Sequence, residues 1–262
     1  MRRAFTLLEL LVVMAIIMIL LGILLPAAEH VRHQGYIDKC ASNLRSIGQA
    51  MEMYANDNRG SFPRTVYVPG SPIVYDTNPG APDPFQAGGP VANDVTAAIF
   101  LLMRAEKIPP VVLICPYDDV FEYQADSAEI ANRSNFTDQK VNLGYSFADP
   151  YPDTAAVNAG YKWTASISAD FALASDKNPG IDAPRDDVIN ISINSGQTEM
   201  EKGNSGNHEK DGQNVLFGDG HVAWEKNPFC GVNGDNIFTN QNNNLTGSPD
   251  TKDDSLLLPT DD

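Results

Sequence analysis

The chain has 262 residues, with 34 acidic against 18 basic side chains, a formal net charge of −16 and a sequence pI near 4.5. That excess argues against nucleic acid, or an anionic membrane surface, as a partner of its water-facing part. The length suffices for one globular domain beside any anchor, and no internal repeat is evident.

From Phe5 to Leu25 the residues are almost wholly apolar. At about 1.5 Å rise per residue, a helix of that length covers roughly the 30 Å hydrocarbon core of a bilayer. Arg2 and Arg3 precede the run with no acid beside them, so the positive-inside bias keeps the N-terminus cytoplasmic and sends everything after Pro26 across. Glu9 is the anomaly, because an ionised side chain in a spanning helix costs about 2.5 to 3.5 kcal/mol at mid-bilayer and less near the interface. Cleavage between Ala4 and Phe5 would remove the arginines and create an ammonium on Phe5, one helical turn from Glu9. That ammonium can neutralise Glu9 within the chain or from a staggered neighbour, and the second pairing turns a buried charge into an assembly signal.

Ala4 followed by FTLLELLVVMAII resembles the leader of type IV pilins and type II secretion pseudopilins, where a small residue precedes a Phe and a Glu follows four positions later. Those families usually have Gly at the position of Ala4. The resemblance implies a prepilin peptidase that cuts before Phe5 and methylates the new amine, which keeps its charge. It also implies that Glu9 is the assembly residue. A secretory signal peptide fits less well, since its apolar core runs about 7 to 15 residues to an A-x-A site and this run continues into Leu25-Pro26-Ala27-Ala28.

Beyond the apolar run, Val31, Ile37, Cys40, Ala41, Leu44, Ile47, Met51, Tyr54 and Ala55 recur at helical steps, with Arg32, Lys39, Asn43, Arg45 and Glu52 on the other face. Pro26 lies inside this helix and is expected to bend or locally loosen it where the chain leaves the bilayer. Asp57-Asn58-Arg59-Gly60 and Pro63 supply the stop. The domain plan is therefore a leader at 1–4, an assembly helix at 5–25, its amphipathic extension at 26–59 and a head at 60–262.

In the head, 67–90 reads as an irregular insertion, rich in Pro, Gly, Asp and Asn. Asp94 caps a short helix running through Arg104, which Pro109-Pro110 ends, and 111–115 reads as a buried strand. Further strands are expected at 143–147, at 163–174 with a bend, at 188–193, and as a hairpin of 214–217 with 221–224 around Gly218-Asp219-Gly220. The fold class is α+β, a long N-terminal helix packed on a small antiparallel sheet.

The hairpin segment SGNHEKDGQNVLFGDGHVAW is similar to the C-terminal motif of a group of bacterial pilin-like proteins in which a His is followed about nine residues later by Asp-Gly. His208, Asp219 and Gly220 match, with one residue more than the usual spacing. LICPYDD and DDSLLLP resemble the Cys-Pro element and the terminal strand of that group.

His208, Asp211, Asp219 and His221 are residue types that bind transition metals, although turn chemistry alone accounts for Asp219. Calcium is the better candidate cation, because the resemblance to major pseudopilins implies a calcium site in a C-terminal loop, here the Asn/Asp-rich 231–255, where Asp235, Asp250, Asp253 and Asp254 supply hard oxygens. Three cysteines cannot all pair in one chain. In an oxidising compartment Cys40 and Cys115 can form a helix-to-head disulfide that leaves Cys230 over, and the pairing stays open at this level.

No nucleophile elbow, phosphate loop or Cys-x-x-Cys pair is present, so no enzyme is expected. The expected function is a filament subunit held in the bacterial inner membrane with a periplasmic head. Its partners would be copies of itself, other pilin-like subunits, prepilin peptidase and an inner-membrane assembly platform, and no nucleic acid. The alternative is a membrane-anchored periplasmic binding module or enzyme that uses the helix only as a tether.

Overall fold

The computed structural model describes residues 7–105, 107–118, 120–182 and 185–261, and for Pro26 and Ala27 the backbone alone. Helix α1, Leu7–Asp57, spans 51 residues and its assignment is unbroken through Pro26. The chain divides into two units, Met1–Asp38 and Lys39–Asp262. The last turns of α1 thus belong to the globular unit.

In the first unit, the apolar side chains of α1 from Leu7 to Leu25 are exposed. Among the described residues, α1 is the one helix long and apolar enough to cross a membrane. Val31, placed on the apolar stripe by its spacing, is also exposed.

In the second unit, Cys40, Leu44, Ile47, Ala50, Met51 and Ala55 are buried against the sheet, with Tyr54 half-buried. Burying an aliphatic side chain such as Leu44 or Ile47 is worth about 1.5 to 3 kcal/mol. Asn43, expected on the polar face, is also buried. Its Nδ2 donates to the Ile114 carbonyl at 2.9 Å and to the Tyr145 hydroxyl at 3.1 Å, which offsets its desolvation. The helix stops as its sequence predicts, with Arg59 and Gly60 at φ of 59° and 82° and the Gly60 N–H on the Ala55 carbonyl at 2.8 Å.

Five strands form one antiparallel sheet: β1 Tyr145–Ala148, β2 Ala172–Asp176, β3 Gln213–Phe217, β4 Val222–Glu225 and β5 Leu257–Leu258, in the order β4-β3-β2-β1-β5. Tyr145 pairs with Asp176, and Asn214 with Trp224. The hairpin around Gly218-Asp219-Gly220 is where its turn residues put it, with Gly220 at φ 84°. Helix α2, Val95–Arg104, is capped by Asp94. It ends at Arg104, five residues before Pro109.

Two expected strands are absent among the described residues, and a third, expected at 163–174, forms only in its last residues, as the start of β2. Residues 111–115 form a 3-10 turn over Pro110–Leu113, because Pro110 opens a helical turn and lacks the N–H a ladder needs. From Trp163 to Phe171 the chain turns to the loop after α1 instead of the sheet: the Trp163 carbonyl accepts from Phe62 N–H at 3.3 Å, and Trp163 Nε1 donates to the Pro63 carbonyl at 2.8 Å. Residues 188–193 are irregular, since Asp187 Oδ1 takes the N–H groups of Ile189 and Asn190 at 3.2 and 2.8 Å, and Ser195 Oγ takes that of Ser192 at 2.9 Å. Side chains there outcompete a strand partner.

The segment 67–90 is irregular but tethered. Asn93 accepts from Val68 N–H at 3.0 Å and donates to the carbonyls of Val68 and Ser71. Asp94 Oδ2 accepts from the backbone and hydroxyl of Thr77.

Candidate functional site

Ala4 and Phe5, the expected processing pair, lie outside the described residues. Glu9 sits in the first turn of α1 with its side chain exposed. Through the rest of the apolar run, to Leu25, no other charge occurs.

The C-terminal motif residues occupy two separate places. Asp219 and Gly220 form the exposed β3–β4 turn, where Asp219 Oδ1 accepts from His221 N–H at 3.0 Å and meets His221 Nδ1 at 2.5 Å. These contacts from His221 hold the Asp219 carboxyl below its ordinary pKa. His208 is instead fully buried at the end of the 3-10 turn Gly206–His208. Its ring meets those of Tyr117 and Trp224 with centroids 5.7 and 5.6 Å away, and its Nε2 lies 3.3 Å from Asp176 Oδ2. The four-residue grouping of His208, Asp211, Asp219 and His221 is therefore not formed.

His208 stands in a different cluster. Cys40 of α1, Cys115 after the 3-10 turn, Asp176 at the end of β2 and His208 place one ligand-type atom each within 4.8 Å of one another, and all four are fully buried. Cys40 and Cys115 are free thiols with Sγ atoms 2.7 Å apart, so the expected pair is adjacent and no disulfide bond joins it. The hydrogen bond to Cys40, then burial, push the Cys115 thiol far up. Burial opposes a charge on His208, but contacts with Asp176 and Cys115 outweigh it and raise the imidazole to about 9. Asp176 Oδ2 accepts from the backbone and side chain of Asn214 at 2.7 and 3.0 Å, while Oδ1 is buried without a hydrogen-bond partner. Cys230 stands apart, half-buried, with burial raising its thiol.

In the C-terminal loop, Asp235, Asp250 and Asp254 act on one another and Asp253 does not join them. Burial raises Asp235 to about 6 and Asp254 to about 8 against opposing backbone N–H bonds, and repulsion from Asp250 adds to both. Buried Asp250 Oδ1 and Asp254 Oδ1 have no hydrogen-bond partner. Such oxygens suit a hard cation. The Asp253 carboxylate is engaged by Lys252 Nζ at 2.9 Å.

The prokaryotic N-terminal methylation motif matches residues 1–25. Over those residues the match supports a type IV pilin- or pseudopilin-like protein. No curated protein and no solved structure matches it. The motif implies processing by prepilin peptidase and assembly with other pilin-like subunits, and the long apolar helix is consistent with membrane anchoring.

Sequence reasoning singled out Cys40 and Cys115 as a candidate disulfide and His208 in a separate hairpin motif, did not join them, and missed Asp176. The available signal was a carboxylate ending the apolar run Phe171–Ala174, where a charge on a buried strand needs a partner.

Proposed function

We propose that this chain is a structural subunit of a filament of the type II secretion pseudopilus or type IV pilus kind, and that it works by assembly, not catalysis. The observation that carries the reading is the methylation motif at residues 1–25, in which Glu9 is the one carboxylate. The precursor would sit in the inner membrane with a cytoplasmic N-terminus and a periplasmic head. Trimming would expose the Phe5 ammonium, and an assembly platform would pack the apolar helices into a filament core. There each Glu9 would meet a neighbour's Phe5 ammonium, which removes the cost of a lone charge in an apolar environment. In the head, Asp235, Asp250 and Asp254 would hold calcium, which supplies only charge neutralisation and loop ordering.

Intact-mass and N-terminal analysis of protein from host membranes, with and without prepilin peptidase, tests the processing step. Methylated Phe5 is expected as the first residue only when the peptidase is present. Glu9→Ala is expected to be trimmed yet absent from sheared filaments. Equal recovery of the variant and the wild type in filaments would end the assembly reading.

A further inference from the structure

The geometry points to a structural metal site for a zinc-type divalent cation, held by Cys40, Cys115, Asp176 and His208 in the interior of the head. Two sulfurs, one imidazole and one carboxylate are the donors that zinc accepts in closed, four-coordinate sites. With bonds of about 2.0 to 2.3 Å, tetrahedral ligands stand roughly 3.3 to 3.8 Å apart. The present spread, from 2.7 Å between the sulfurs to a limit of 4.8 Å across the set, brackets that spacing. Small rotamer changes would close it around an ion.

Three further features support a cation. Asp176 Oδ1 is a fully buried carboxylate oxygen without a hydrogen-bond partner, and an ion would use its free lone pairs. The other oxygen of Asp176 is oriented by two hydrogen bonds from Asn214, the kind of outer-shell support that ligating carboxylates receive. The rings of Tyr117 and Trp224 flank His208, and all four donor residues are sealed from solvent, so no position is left open for a reacting water. That makes the site structural. It would tie α1 to β2 and to two loops by bonds that a short five-stranded sheet does not itself supply.

The two sulfurs are also close enough for oxidation to join them, and that outcome must be separated from metal binding. The full-length chain, purified in detergent with reductant and without chelator, should contain one zinc per chain by elemental analysis. Exchange with cobalt(II) should produce thiolate charge-transfer absorption and the intense visible bands of tetrahedral coordination. Cys115→Ser, His208→Gln and Asp176→Asn should each lower metal content at least tenfold, whereas Cys230→Ser and His221→Gln should leave it unchanged. The cobalt spectrum of the wild type needs no variant to fold. The proposal is overturned if the wild-type chain holds only trace metal and takes up no cobalt. It is equally overturned if the chain from its native membranes is two hydrogens lighter, with Cys40 and Cys115 joined, or if the three ligand variants keep their metal.

Discussion

Gly48 on α1 and Leu216 on β3 meet so closely that a methyl group at Gly48 would lie 2.9 Å from Leu216 Cδ1. This contact explains a glycine in the middle of a helix, where it costs about 0.5 to 1 kcal/mol against alanine. The missing side chain lets the helix approach the strand. Leu216 is fully buried, yet the contacted atoms are the ends of a flexible side chain. Gly48→Ala should therefore stay within about 1 kcal/mol of the wild type, its gain in helix propensity offsetting a shift of Leu216. Gly48→Val should overpack the contact and lower stability by about 1 to 3 kcal/mol. Urea midpoints of the two variants check the pair.

Asp94 accepts five hydrogen bonds while fully buried: from Ala97 N–H and Thr96 at 2.9 and 2.7 Å, and from Thr77 N–H, Thr77 Oγ1 and Asn135 Nδ2 at 2.9, 2.5 and 2.9 Å. One carboxylate thus caps α2 and pins the segment 67–90. Asp94→Ala should cost about 3 kcal/mol or more, combining a lost cap with stranded buried donors. Asp94→Asn should cost less. Thermal melts give the stability, and faster hydrogen exchange at Thr77 in the alanine variant would show that the loop was released.

Asp76 should make the head less stable as pH rises. Burial, opposed by Gln139 N–H at 2.8 Å and aided by Asp94 and Asp138, raises its carboxyl to about 6. A folded-state value above the unfolded one means that the native chain holds the extra proton between about pH 4 and 6, so this contribution is lost as pH climbs through that window. Asp76→Asn should stabilise the chain at pH 7 by about 1 kcal/mol after solvent screening, with the gain fading by pH 4. Asn also tolerates the local φ of 53°. A gain of equal size at both pH values would contradict the assignment.

Calcium should raise the melting temperature, and a calcium-selective chelator should lower it. At a free concentration about a hundred times Kd the stabilisation is about 2.7 kcal/mol. Asp254→Asn should abolish the shift, because Asp254 is fully buried with an unused oxygen. Asp253→Asn should keep it, since that carboxylate is on Lys252. Melting curves that calcium does not move would remove this cation from the loop.

Much of the architecture is legible where the signal is local. The apolar run and Glu9 read directly from Phe5 to Leu25, the stop at Asp57 from Asn58-Arg59-Gly60, α2 from its Asp94 cap, and the β3–β4 hairpin from Gly218-Asp219-Gly220. The strands expected at 111–115 and 188–193 failed where Pro110 or nearby side chains claimed the backbone, and the one expected at 163–174 formed only from Ala172 onward, competition that apolar content does not reveal.

The sequence by itself determined the long apolar N-terminal helix, its methylation motif and the α+β plan, because each rests on periodicity, charge placement or turn chemistry within a few neighbouring residues. Only the tertiary structure decided what the head encloses. Cys40 and Cys115 are 75 residues apart, and His208 reaches them from a turn beyond β2, so no spacing rule links them. The pairing of Tyr145 with Asp176 in the sheet, and the burial of α1 from Cys40 onward, bring sulfur, imidazole and carboxylate together. Long-range packing sets that proximity, and packing depends on the whole chain at once.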